Sequence, residues 1–194
     1  MYDKQLVDTV LNGDNHAFGL IIKNTERLVA QIVFKMISDP EDRKDIAQDI
    51  YLKTYKKLPT FKFQSKLSTW IAQISYNTCL DYLRKKKLLL PGDSYEGNEN
   101  EDDVLDRINN SYGPGQVTND IIFQKDLSAI LKAEIAKLSP VYNAMITLYH
   151  QEELSYEEIG QITGLPAGTV KNYLFRARKA LRETLLLNYK KEDL

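Results

Sequence analysis

A single cysteine, Cys79, among 194 residues leaves no internal disulfide to form, which fits a reducing compartment and sets cytoplasmic as the expected location. Cys79 falls within a predicted helix and reads as a small packing residue rather than a thiol sensor or metal ligand. The two histidines, His16 and His150, lie far apart and match no ligand spacing, so no metal is expected. There is no Gly-rich phosphate loop and no nucleophile with a neighbouring base; no enzyme site, cofactor or small-molecule substrate is argued. No run of about 20 apolar residues is present, so direct membrane insertion is not expected. The amino terminus lacks the charged-then-apolar pattern of an export signal. Internal repeats are missing as well.

The formal net charge, −1, is too small for a nucleic-acid binder only while the whole chain is averaged. From Glu41 to Lys87 there are 11 Lys plus Arg against 5 Asp plus Glu, whereas from Leu88 to Asp126 there are 2 against 9. A basic module therefore stands beside an acidic strap, an asymmetry that points to nucleic-acid contact in one part and a flexible or interacting segment in the other.

The most informative stretch is LSYEEIGQITGLPAGTVKNYLFRARKAL, Leu154 to Leu181. Ser155 followed three residues later by Glu158 is a capping box that starts a helix. Ile159 and Ile162 give that helix a buried side. Gly164 can take the positive φ that ends it, and Pro166 is suited to the first position of a second helix. There Val170, Leu174, Ala177 and Leu181 fall at i, i+4, i+7 and i+11, one apolar stripe. Thr169, Asn172, Arg176 and Lys179 lie roughly opposite it, with Lys171, Arg178 and Arg182 on the flank. Hydrogen-bonding and cationic groups on one helical face suit a DNA major groove. A cationic helix face is also what solvation alone selects, and on these residues both readings stand.

Upstream, Lys4 to Leu11 is a short amphipathic helix, and Asn15 begins a longer one with Phe18, Ile21, Ile22, Leu28, Val29, Ile32, Val33 and Met36 as core. After Asp39-Pro40 a third helix is expected from Glu41 to Leu58, with Ile46, Ile50 and Leu58 inward. Its Asp45, Gln48, Asp49 and Leu52 form a mixed acidic and apolar stripe that suits a basic helical partner or plain solvent. The loop Phe61-Lys62-Phe63-Gln64-Ser65-Lys66 interleaves aromatic, polar and cationic groups, the pairing that holds single-stranded nucleic acid. Ser68 is the expected cap of the next helix. That helix has two apolar sides, one with Leu67, Trp70, Ile71, Ile74, Thr78 and Tyr82, the other with Tyr76, Leu80 and Leu83. Gln73, Asn77 and Arg84 run between them, and Trp70 is expected in the core. It closes on Arg84-Lys85-Lys86-Lys87, more cations than a helix dipole needs and suited to phosphates. GDSYEGNENEDDVLDRINNSYGPGQ follows, a linker by composition. Helical pattern resumes at Ile121 through Leu127, Ile130, Leu131 and Ile135, and Ser139-Pro140 starts another helix with Val141, Met145, Ile146 and Tyr149.

The stretch from Ser155 to Arg182 resembles the carboxy-terminal promoter-reading domain of bacterial RNA polymerase sigma factors, in particular the extracytoplasmic-function (ECF) class. The matching positions are Ser155, Tyr156, Glu158, Ile159, Gly164, Pro166, Gly168, Thr169, Val170, Lys171, Arg176, Ala177, Arg178, Leu181 and Arg182. Gly160 departs from the usual alanine and is expected to loosen its helix by up to about 1 kcal/mol. Asn172 and Tyr173 stand where serine and a basic residue are frequent. Asp45, Ile46, Gln48, Asp49 and Leu52 resemble the helix that docks onto the polymerase β′ coiled coil. STWIAQISYNTCLDYLRKKK resembles the promoter-melting segment through Ser68, Thr69, Trp70, Ile74, Asn77, Asp81 and Arg84.

The resemblance implies an all-α fold of two small helical domains joined by a flexible acidic linker. Residues 1–87 would bind core polymerase and the −10 element, 88–119 would be the linker, and 120–194, with the helix-turn-helix, would read the −35 element. The implied core-binding residues are Asp45, Gln48, Asp49 and Leu52. Those on −10 DNA are Phe61, Phe63, Gln64, Ser65, Lys66, Asn77, Arg84, Lys85, Lys86 and Lys87, and those on −35 DNA are Thr169, Lys171, Asn172, Arg176, Arg178 and Lys179. Core RNA polymerase (β′ and β subunits), promoter DNA and an anti-sigma factor are the implied partners. A helix-turn-helix regulator working without polymerase is the alternative; it accounts for the second half but leaves the basic module unexplained.

Overall fold

In the computed structural model, residues 2–88 and 127–189 are described. The expected linker, apart from Leu88, and the expected start of regular helix at Ile121 lie outside them. Helix α1 (Tyr2–Leu11) is followed by α2 (Asn15–Met36), whose start is fixed by Asp14: its carboxylate accepts from the N–H groups of His16 and Ala17 at 2.8 and 3.2 Å. Helix α3 (Pro40–Lys57) begins with proline at its first turn and with Asp39 accepting from Glu41 N–H at 3.0 Å. Glu41 and Asp42 in its first turn and Lys56 and Lys57 in its last complement the helix dipole. A single 3₁₀ turn, Leu58–Thr60, leads out of it.

Helix α4 (Leu67–Leu88) starts one residue before the expected Ser68 cap. The free N–H of Leu67 donates instead to the carboxylate of Asp3 at 3.0 Å, so an acceptor from α1 replaces the local cap. The second group comprises α5 (Leu127–Ala136), α6 (Pro140–His150), α7 (Tyr156–Thr163) and α8 (Ala167–Asn188). Ser139 caps α6 through Tyr142 N–H, and the Ser155–Glu158 capping box of α7 is closed in both directions. Gly164 takes φ 77°, the left-handed conformation the turn requires. Pro166 sits just outside α8, as its N-cap, and Ala167 is the first helical residue; the expectation of proline inside the helix is corrected by one position. Every element among the described residues is helical, eight α-helices and the one 3₁₀ turn.

The two groups lie against each other. Helix α2 packs on α6 as well as on α4, and α4 packs on α2, α3 and α7. One continuous cluster of buried side chains runs through both groups, from Ile21, Ile32 and Ile71 to Val141, Ile159 and Leu174. This explains why α4 is apolar on two sides. Lys53 of α3 donates to Thr78 at 3.3 Å and Tyr82 donates to Asp42, which fixes the Ile71–Ile74–Thr78 side toward α3. Tyr76, Leu80 and Leu83, on the far side, are buried under the remaining partners, α2 and α7. A buried leucine such as Leu80 contributes about 1.5 to 3 kcal/mol of transfer free energy, so the joint is substantially apolar.

Candidate nucleic-acid interface

Helix α8 divides as its periodicity predicts. Val170, Leu174 and Ala177 are buried, Leu181 is half-buried, and Tyr173 joins them by packing its ring 6.1 Å from that of Tyr142 on α6. A basic residue at position 173 would have had to bury its charge here. On the other side Lys171, Asn172, Arg176, Arg178 and Lys179 are exposed, and Thr169 is half-buried. Arg178 is also structural: its guanidinium lies 5.1 Å over the Tyr149 ring and its Nε donates to His150 Nε2 at 3.4 Å. Burial, helped by the Arg178 charge, holds the His150 pKa below its ordinary value, so the imidazole is the neutral acceptor this contact needs. Lys179 stands 3.9 Å from Glu183 one turn on.

Sequence reasoning passed over Phe175. It is 66% exposed, in the middle of the polar face between Lys171, Asn172 and Lys179. The available signal was its place off the Val170–Leu181 stripe: an aromatic that periodicity does not send inward is either unpartnered or a contact. Arene and methyl groups on a groove-reading helix pack against the thymine methyl.

The loop after α3 forms the second part of the site. Phe61 is 7% exposed, with ring centroids 5.0 Å from Trp70 and 4.7 Å from Phe63. It anchors the loop while still lining a cleft. Phe63 is 43% exposed and takes φ 56°, a left-handed backbone that costs a bulky residue about 1 to 3 kcal/mol. Strain of that size is kept where surrounding structure or function requires it. The cleft, about 490 Å³, is lined by Phe61, Lys62, Gln64 and Ser65 of the loop, by Thr60, and by Thr69, Trp70 and Gln73 of α4. One further wall residue, Gln161, comes from α7. Phe63 stands outside the wall, and Phe61 is the loop aromatic that lines it. Trp70, expected in the core, is only half-buried and lines both this cleft and a second one. The second, about 550 Å³, shares Thr60, Trp70 and Gln73 and extends to Lys53, Lys57 and the exposed Asn77.

Lys66 is exposed, and its Nζ donates to Glu158 at 2.9 Å. The Lys66 bond, followed by the Ser155 N–H bond, holds the Glu158 carboxyl below its ordinary value, and Glu158 in turn raises Lys66. At the end of α4, Arg84 lies 3.5 Å from Asp81, while Lys86 donates to Tyr82 at 3.0 Å and stands 3.6 Å from Asp42. Lys85 is exposed; the side chain of Lys87 lies outside the described residues. Salt bridges at such exposed positions are weak and exchange readily for phosphate. On α3, Asp45, Gln48, Asp49 and Leu52 are all exposed on one stripe while Ile46 and Ile50 point inward. Asp49 accepts from Lys53 at 2.8 Å.

Two family models match the chain. Residues 21–88 match Sigma-70 region 2 and residues 128–181 match Sigma-70, region 4. The chain is 31% identical over 185 residues to the ECF RNA polymerase sigma factor SigW of Bacillus subtilis, covering 95% of this chain and 97% of that one. It is also 31% identical over 183 residues to the ECF RNA polymerase sigma-E factor of Escherichia coli K12, covering 92% of each. Among solved structures, CnrH in complex with the cytosolic domain of CnrY superposes with a TM-score of 0.63 at 19% identity, over 96% of this chain and 99% of that chain. The sigma factor RpoE of Bartonella quintana, solved with the anti-sigma factor NepR, gives 0.60 at 22% identity, over 89% of this chain and 98% of that chain.

Proposed function

This chain belongs to the ECF RNA polymerase sigma factors, promoter-directing subunits of RNA polymerase, and from that premise we propose how its residues divide the work. Helix α8 reads the −35 element as duplex, with Asn172, Phe175 and Arg176 on base edges and Thr169, Lys171, Arg178 and Lys179 on the backbone. The Phe61–Lys66 cleft captures a base flipped from the −10 strand, hydrogen-bonded by Gln64 and Ser65, while Asn77 and the Arg84–Lys87 cations follow the phosphates. Residues 1–87 carry this task together with the α3 stripe, on which Asp45, Gln48, Asp49 and Leu52 receive core polymerase; residues 120–194 carry the −35 task, and 88–119 link the two. The protein works in the cytoplasm, makes and breaks no bond itself, and is held in check by an anti-sigma protein. Support for that last partner is the fold shared with a factor solved in such a complex.

The observation that carries the DNA reading is the sharp division of α8: Val170, Tyr173, Leu174 and Ala177 buried, Lys171, Asn172, Phe175 and Arg176 in solvent. Transcription with core polymerase on a genomic fragment library, with start sites mapped, tests it. Transcripts sharing one −35 and one −10 sequence are the expected result. Duplex binding without core polymerase at equal specificity would instead support an independent regulator. For the loop, changing Phe63, Gln64 and Ser65 together to Ala should cut transcription from a closed promoter more than from one with a pre-opened −10 bubble; a variant that matches the parent on both templates would reduce the loop to a spacer.

A further inference from the structure

The loop Phe61–Lys66 has two ends, and helix α1 reaches both. At the far end the buried Leu67 opens α4, and its N–H donates to Asp3 Oδ2 at 3.0 Å. At the near end Phe61 N–H donates to the Leu58 carbonyl at 3.1 Å, and the 3₁₀ turn that carries the buried Leu58 packs on α1. Helix α1 is itself fixed by buried Leu6, Val7 and Val10 and by its packing on α2. The first turn of α4 holds no acidic residue, so the negative charge that suits a helix N-terminus comes there from Asp3. Lys66 gives its carbonyl to Trp70 N–H at 3.1 Å. The Lys66–Leu67 peptide is therefore held by Asp3 through its N–H and by the first turn of α4 through its C=O. That turn supplies Thr69 and Trp70 to the cleft wall, and the loop supplies Gln64 and Ser65. Between the two anchors Phe63 keeps φ 56°, a left-handed backbone that a bulky residue holds only where its surroundings over-determine it.

From this geometry we infer that Asp3 is a positioning residue for base capture: by receiving the N–H of the Lys66–Leu67 peptide it sets where Gln64 and Ser65 stand relative to Trp70, and so the fit of the cleft to a flipped base. The inference rests on the −10 reading of the cleft. It gives α1, a helix with no nucleic-acid contact of its own in that reading, a part in promoter opening.

The test uses holoenzyme, core polymerase with the full chain, and fluorescein-labelled single strands covering the −10 element of a mapped promoter, one intact and a set with one abasic position each. In the parent, the position at which removing the base weakens binding most marks the captured base. Asp3→Ala should shrink that penalty roughly three- to tenfold, the loss of one helix cap expressed in binding, while the strand abasic at that position binds as it does to the parent. Asp3→Asn, which keeps an acceptor oxygen at the same reach, should retain most of the penalty. A merely structural role would weaken intact and abasic strands alike, and that result overturns the inference. An Asp3→Ala penalty equal to the parent's overturns it as well, and so does an Asp3→Asn variant as impaired as Asp3→Ala. If no abasic position weakens binding to the parent, while the parent still initiates at that promoter, the cleft captures no base: the −10 reading itself is then wrong, and the role of Asp3 falls with it.

Discussion

Gly160 of α7 lies directly beneath the backbone carbonyl of Leu165: a Cβ added at Gly160 would sit 2.7 Å from that oxygen. The glycine that propensity alone marks as loosening the helix is thus what lets the turn fold back onto it. Gly160→Ala gains up to about 1 kcal/mol of helix propensity but drives a methyl group into backbone that has no rotamer to yield. Overpacking of this kind costs about 1 to 3 kcal/mol, and the clash should win. A lower urea midpoint with weakened −35 duplex binding is expected; a higher midpoint would show that the turn relaxes freely.

On α8, Arg176→Ala should lose about 1 to 3 kcal/mol of discrimination at one −35 base pair, if its guanidinium makes a bidentate contact. Phe175→Ala should flatten the preference for thymine over deoxyuridine at a neighbouring position, because only the methyl group differs. Both residues are exposed, and Arg176 gives up one exposed contact, its guanidinium 5.9 Å over the Tyr173 ring, so unfolding free energies should fall by no more than about 1 kcal/mol. Promoter profiles identical to the parent's would remove both from base recognition.

Asp49→Lys should weaken the affinity for core polymerase by reversing a charge on the exposed α3 stripe. Its effect on folding should be small, since the Asp49–Lys53 pair it breaks is an exposed i,i+4 pair worth about 0.3 to 0.5 kcal/mol. Titration against labelled core polymerase measures this, and unchanged affinity would dismiss the docking role.

The Lys66–Glu158 bond gives the contact between the two halves a dependence on pH. Glu158 has its pKa lowered from 4.5 by Lys66 and by the Ser155 N–H. Its contribution is therefore complete above that ordinary value and is lost as pH falls through the lowered one. Lys66, raised from 10.5, contributes below its ordinary value and loses that contribution as pH climbs through the raised one. The contact should be insensitive to pH between these limits and weaken on the acid side. Glu158→Gln should remove part of the acid slope in energy transfer between dyes placed on the two halves; a slope unchanged by the substitution would place its origin elsewhere.

Burial pushes the Cys79 thiol up to about 12, against a small opposing effect of Lys53. At pH 8 the native protein should resist iodoacetamide over hours, and its alkylation should accelerate with urea in step with loss of helix. Rapid modification of the native chain would contradict the packing around α4.

Local rules carried most of the helix starts and the inward faces: Asp14, Asp39, Ser139 and Ser155 each cap the helix that follows. What escaped them depended on chain neighbours distant in sequence. The cap of α4 comes from Asp3 and the second apolar side of α4 from α2 and α7. A periodic pattern says that a face will be covered, and it carries no information about which element covers it. The exposed polar face of α8 was legible because polar groups off an apolar stripe are conspicuous. Phe175 was not, because its chemistry matches the core and only its angular position sets it apart.

The enclosure of α4 on both apolar sides also bears on solubility. If α7 withdraws, the surface around Tyr76 and Leu80 that it helps to cover meets water. An uncovered patch of that kind invites aggregation or a protease. An open chain would then be short-lived unless polymerase receives it at once, and the free pool would be kept intact by staying shut.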